Sequence, residues 1–104
     1  MFDKTKPRYI TRGIAEKLPM ELTGLFWDMI DLAAKEVELD YLQVFSLEVL
    51  EEETPVLKVI HTQEVRPFTK IVFFPINRGS QIPRRKLFVI DDETHQTMLW
   101  ADEY

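Results

Sequence analysis

Between Met20 and Val37, the apolar residues Leu22, Leu25, Phe26, Met29, Ile30, Ala33 and Val37 recur at spacings of three and four, which lays one apolar stripe along a helix. Thr23, Gly24, Asp28, Asp31, Lys35 and Glu38 largely fill the opposite side, with Asp31 and Lys35 at the i,i+4 distance that suits an ion pair. Pro19 opens the first turn, where a missing N–H costs nothing, and Glu21 places negative charge near the helix N-terminus. The spacing predicts a helix over about 20–37. Before it, Arg8 to Thr11 reads as a short strand that Gly13 ends with a turn.

After Asp40 the period changes from 3.6 to 2. In DYLQVFSLEVL, Tyr41, Phe45, Leu47 and Val49 point one way while Leu42, Val44, Ser46 and Glu48 point the other. The acidic turn EEETP leads to VLKVIHTQE, in which Leu57, Val59 and His61 share a face; so short a connection implies an antiparallel hairpin. Lys70 to Phe74 supplies another strand, ended by Pro75. The segment KLFVIDDETHQTMLW reads as two strands around Asp91–Thr94, where an aspartate can bond back to its own backbone. These elements predict an α+β fold, one amphipathic helix packed on a mostly antiparallel sheet of five or six strands, with barrel-like closure left open. At 104 residues the chain has room for one core, so residues 1–104 are expected to form a single domain.

The chain contains 0 cysteines, which removes disulfides, thiolate ligands and a cysteine nucleophile. No apolar h-region follows the basic N-terminal residues and no segment approaches the length of a membrane span, so a cytoplasmic protein without membrane contact is the expectation. The net charge of -5 is unevenly spread: residues 65–90 carry 6 basic and no acidic side chains, and residues 91–104 carry 5 acidic and no basic ones. Arg78, Arg84, Arg85 and Lys86 cluster around the loop INRGSQIPRR. The plain reading is a solvated loop offset by the acidic C-terminus, and the functional one is contact with a phosphate or an acidic partner.

Catalytic motifs are sparse. His61 and His95 are the only imidazoles, and neither belongs to an HExxH or HxH arrangement; they meet as a carboxylate-flanked pair only if the fold makes their strands adjacent. Neither Ser46 nor Ser80 lies in GxSxG, and the 3 glycines make no phosphate-cradling loop. No cofactor, metal ligand or catalytic residue is therefore assigned, and an enzyme is the less favoured expectation. The interleaved aromatic and basic residues of RPFTKIVFFPINRG resemble a single-strand nucleic-acid platform, but Phe73 and Phe74 must point to opposite faces of a strand and the whole chain is acidic.

Protein contact has more to draw on. Trp100 and Tyr104 flank Asp102 and Glu103, and tryptophan and tyrosine combine rigid apolar area with a polar handle, although core packing is the plain reading for Trp100 and for Trp27. A homodimer formed through an aromatic patch or an uncovered strand edge fits the same residues.

The strings RYITRG at 8–13, DYLQVF at 40–45, IHTQEVRPF at 60–68 and VIDDETHQTMLWADEY at 89–104 together resemble a family of small uncharacterised cytoplasmic proteins of Firmicutes, among them staphylococci, streptococci and enterococci, defined as a domain of unknown function. The likeness runs from about Arg8 to Tyr104 and implies a single-domain bacterial protein, but it transfers no activity or residue role. The expectation is thus a small binding or adaptor protein that contacts a protein partner, or itself, through Arg78, Arg84, Arg85, Lys86, Trp100 and Tyr104. Nucleic-acid binding by the 78–86 loop is the first alternative, and a small hydrolase or metal-dependent enzyme the second.

Overall fold

The computed structural model describes residues 2–3, 5–83 and 85–104. A short strand β1 (Arg8–Ile10) is followed by helices α1 (Arg12–Lys17) and α2 (Met20–Ala34). Five strands come next: β2 (Leu42–Leu50), β3 (Val56–Gln63), β4 (Phe68–Pro75), β5 (Lys86–Asp91) and β6 (Gln96–Trp100), and a single 3-10 turn spans Ala101–Glu103. They form one six-stranded sheet in the order β1-β6-β5-β2-β3-β4. All neighbours are antiparallel except β1 and β6. β1 and β4 are its two edges, so an open mixed sheet takes the place of the barrel-like closure that sequence left open.

The expected single helix is two. Thr11 caps α1, its hydroxyl accepting from the Ile14 N–H at 3.2 Å, and Gly13 lies inside the first turn of this helix. A six-residue helix that buries only Ile14 leaves no repeating apolar stripe to read. The small residue has a packing use: a Cβ on Gly13 would come within 2.6 Å of Glu103 Oε2. α2 starts at Met20 as its periodicity predicts but ends at Ala34, where the Ala33 carbonyl accepts from both Glu36 N–H and Val37 N–H and the chain tightens into a turn. Asp31 does not wait for Lys35; its two carboxylate oxygens take the guanidinium of Arg8 at 2.6 and 3.1 Å. The same guanidinium lies 4.8 Å over the Trp27 ring.

The core lies between the sheet and the two helices. Leu22, Phe26, Met29, Ile30 and Ala33 of α2 and Ile14 of α1 are buried with Phe45, Leu47, Leu57, Val59, Leu87, Val89, Met98 and Trp100 of the sheet. Phe26 and Phe45 have ring centroids 5.2 Å apart, and Phe45 stacks on His61 at 4.4 Å. The turn between β5 and β6 forms as expected, with Asp92 Oδ1 accepting from the N–H groups of Thr94 and His95. Those two bonds lower the Asp92 pKa.

Candidate functional site

The alternation of β2 puts Gln43, Phe45 and Leu47 on the helix side and Leu42, Val44 and Ser46 on the other. Register carries that second set across the sheet: Val44 is opposite Phe88 and Thr62, Leu42 is opposite Ile90, and Ser46 is opposite Ile60, which is in turn opposite Ile71. Among the described residues both helices pack on the opposite side, and the one buried apolar residue of this face is Leu99, opposite Phe88. An antiparallel sheet wetted on one side ordinarily shows polar residues there. Here the open face carries Leu42, Val44, Ile60, Phe88 and Ile90 half-buried by one another, with Ile71 47% and Phe73 58% exposed at its β4 margin. Such a patch is more than scattered surface hydrophobes.

The basic loop crosses one end of the sheet, with Ile76 and Ile82 packed against the core on the helix side beside Pro19 and Leu22. It joins β4 at the sheet edge to β5 beside β2, and so crosses the end occupied by the acidic turn of the β2–β3 hairpin. Asn77 to Ser80 makes its turn, with the Ser80 N–H bonded to the Asn77 carbonyl at 3.0 Å and Gly79 at φ 90, a left-handed conformation that favours glycine. Arg78 is exposed and donates to the Glu53 carbonyl. Arg85 spans 3.8 Å to Asp102 and lies 4.0 Å over the Trp100 ring. Lys86 is exposed on the open face, opposite Ser46. Arg84 lies outside the described residues.

The C-terminal segment divides in two. Trp100 is 1% exposed, and its indole N–H donates to the Gly13 carbonyl at 2.9 Å, so this ring packs in the core with Arg85 over its face. Tyr104 is exposed and meets Phe88 edge-on at 5.8 Å, which extends the open face toward the chain end. The Arg78–Lys86 loop and the C-terminal segment are therefore brought together, joined by Arg85.

His61 and His95 are not. His61 is buried on the helix side, whereas His95, in the β5–β6 turn, sits against Tyr9 on the open side with Nδ1 3.3 Å from Asp92. Among the described residues no group of three or more His, Cys, Asp or Glu could hold a metal ion. His61 belongs to a buried polar network. The Gln43 amide nitrogen donates to the Asp40 carbonyl at 2.9 Å and to Gln63 Oε1 at 2.7 Å, which leaves its oxygen facing His61 Nε2 at 2.7 Å. Nε2 must then carry the proton, and Nδ1 is buried without a partner. Burial holds the imidazole neutral, with its pKa lowered from 6.5 to about 4. Asp40 completes the network by accepting from the Val65 and Arg66 N–H groups and from the Arg66 guanidinium, which locks the β3–β4 turn to the segment before β2. These bonds satisfy structural needs and leave no cleft over the imidazole.

Sequence reasoning named the basic loop and Tyr104 but passed over Leu42, Val44, Ile60, Ile71, Phe73, Phe88 and Ile90. The signal was present: KIVFF and KLFVI are apolar at consecutive positions, the composition of strands buried on both faces, while a single long helix was available to cover one.

No curated protein matches this chain. Its fold does match a solved one: the crystal structure of a protein of unknown function from Enterococcus faecalis superposes with a TM-score of 0.83 at 28% identity, over 99% of this chain and 94% of that one. Residues 7–103 match the family model described as staphylococcal protein of unknown function (DUF960), so nearly the whole sheet and both helices lie within the match and the chain belongs to that family.

Proposed function

We propose that this is a small protein-binding module, an adaptor that holds a protein partner on the open face of its sheet and orients it with the charged groups at the face's end. The observation that carries the reading is the apolar character of that face opposite a core already complete on the helix side. An apolar centre beside a charged margin is the usual anatomy of a binding surface. Phe73, Phe88 and Tyr104 supply the aromatic contact area, and Arg78 and Lys86, with Arg85 shared with Asp102, supply a basic margin that steers and orients an acidic partner.

The nucleic-acid alternative has less behind it. The open face offers aliphatic side chains more than stackable rings. Nothing in the arrangement of the described residues gives positive support to an enzyme.

The test is a pull-down from a Firmicutes lysate followed by calorimetry with the purified partner, comparing wild type with Phe88→Lys and with Arg78→Glu/Arg85→Glu, each checked by circular dichroism. The expected result is a partner that binds wild type, loses most affinity to Phe88→Lys, and binds the double variant more weakly with reduced salt dependence. A partner indifferent to Phe88→Lys would refute the face, and nuclease-sensitive retention would favour the alternative.

A further inference from the structure

The two edges of the sheet are unequal. β1 is three residues long, whereas β4 spans eight, Phe68–Pro75, with no neighbour on its outer side among the described residues. The backbone direction of β4 follows from one bond. The Ile76 N–H donates to the Pro55 carbonyl at 3.2 Å, and Val56 is opposite Pro75, so 56 and 75 form a non-hydrogen-bonded pair. Alternation then turns the backbone groups of Phe74, Val72, Lys70 and Phe68 inward to β3. The N–H and C=O groups of Thr69, Ile71 and Phe73 point outward, on the same residues whose side chains lie on the open face.

We propose that this edge is a self-association site, at which a second copy of the chain adds its own β4 antiparallel about a two-fold axis at Ile71. The register is set by the prolines. Pro67 and Pro75 lie symmetrically about Ile71 and share the outward parity. With Ile71 opposite Ile71 of the second copy, and Thr69 opposite Phe73, every N–H and C=O of these three residues is paired across the axis, and the prolines face each other beyond the ladder. A slip of two residues either way puts a proline where the ladder needs a donor, and the slip toward Pro67 also sets Lys70 against Lys70.

The side chains agree with that register. On the open side Ile71 meets Ile71 and Phe73 meets Thr69; on the helix side Phe68 meets Phe74 and Lys70 lies beside Val72. A two-fold axis normal to the sheet keeps both α2 helices on one side. There, Met29, Leu32 and Ala33 of α2 line a largely apolar groove with Phe68 and Val72 of β4, rimmed by Glu36 and Lys70, and Leu32 is 59% exposed. The second copy would cover this groove from the β4 side, as natural sheets cover edges that would otherwise aggregate. The ladder is made by the strand edge and shares Ile71 and Phe73 with the margin of the open face; Phe88→Lys tests the face away from this edge, so the two readings fail separately.

The test is sedimentation equilibrium of wild type over a wide concentration range, beside Ile71→Lys and single cysteine variants, which are informative because the chain has 0 cysteines of its own. Wild type is expected to pass from monomer to dimer. Ile71→Lys, which sets two ammonium groups opposite each other at a half-exposed site, should weaken the dimer at least roughly tenfold. Opposed Cα atoms about 5.5 Å apart in a hydrogen-bonded pair hold their Cβ atoms too far apart for an unstrained disulfide but within reach of a bifunctional thiol reagent a few ångströms long, so Ile71→Cys should cross-link to itself with such a reagent. Phe73→Cys alone should not, but should cross-link to Thr69→Cys when the two are mixed. A monomeric mass at every concentration, or a dimer that Ile71→Lys leaves intact and Ile71→Cys does not link, would overturn the site.

Discussion

On the helix side of the sheet, Phe45, Leu47, Leu57, Val59, Leu87 and Val89 are buried beneath α2, whereas on the opposite side Val44, Ile60, Phe88 and Ile90 share their water exposure with Ile71 and Phe73. The residue types are nearly the same. What separates the faces is the layer above them: an apolar side chain gains its full transfer free energy only when something removes it from water. The helix side therefore holds the fold together, and the open side leaves apolar area in water. The buried polar groups follow the same division, since Gln43, His61, Gln63 and Gln96 are all on the helix side and are spent on internal bonds.

The sharpest way to break this comparison is to truncate one aromatic ring on each face. Phe26→Ala, beneath the sheet, should cost about 3–5 kcal/mol in denaturant unfolding, with Phe73→Ala on the open face costing under about 1 kcal/mol. Equal losses would mean that the open face is part of the stabilising core. Acid should probe the helix side next. Because burial holds the His61 pKa near 4 in the folded chain against 6.5 when exposed, the unfolded state takes up the proton first as pH falls. The neutral imidazole's contribution is fully present above pH 6.5 and is lost toward pH 4, on the order of 3 kcal/mol. His61→Phe should flatten that limb of a stability profile measured between those limits, and an unchanged slope would assign it to the carboxylates instead.

Smaller effects sharpen the boundary between the faces. Gly13→Ala drives a methyl group against Glu103, whose carboxylate accepts from the Thr11 hydroxyl and from the Trp100 backbone N–H, and should cost about 1 kcal/mol with an altered Trp100 near-ultraviolet signal. Phe73→Thr should leave stability within about 0.5 kcal/mol while reducing binding of an apolar dye. A large stability loss there would show that Phe73 is held by contacts within the chain.

Much of this fold is legible in the sequence. The α2 stripe, the hairpin of β2 and β3, the shared face of Leu57, Val59 and His61, and the Asp92 turn are all local statements, set by a period or by a side chain bonding its own backbone. α1 escaped because one turn and a half carries no period, and its cap residue Thr11 reads equally well as the end of a strand. The candidate site was legible in part. Arg78, Arg85, Lys86 and Tyr104 stand out by type, and their meeting at one end of the sheet required the β4–β5 connection to cross it.

By itself, then, the chain determined which residues alternate, where helix gives way to strand, and that neither disulfide nor thiolate chemistry was available, because those follow from residue type and from distances of a few positions. Only the tertiary structure decided that Trp100 is core and Tyr104 surface, that His61 and His95 lie on opposite faces, and that, among the described residues, both helices pack on one side and leave a second apolar face outside them. Strand order joins residues dozens of positions apart, and a period of two says that two faces exist without saying which of them the single long helix will take.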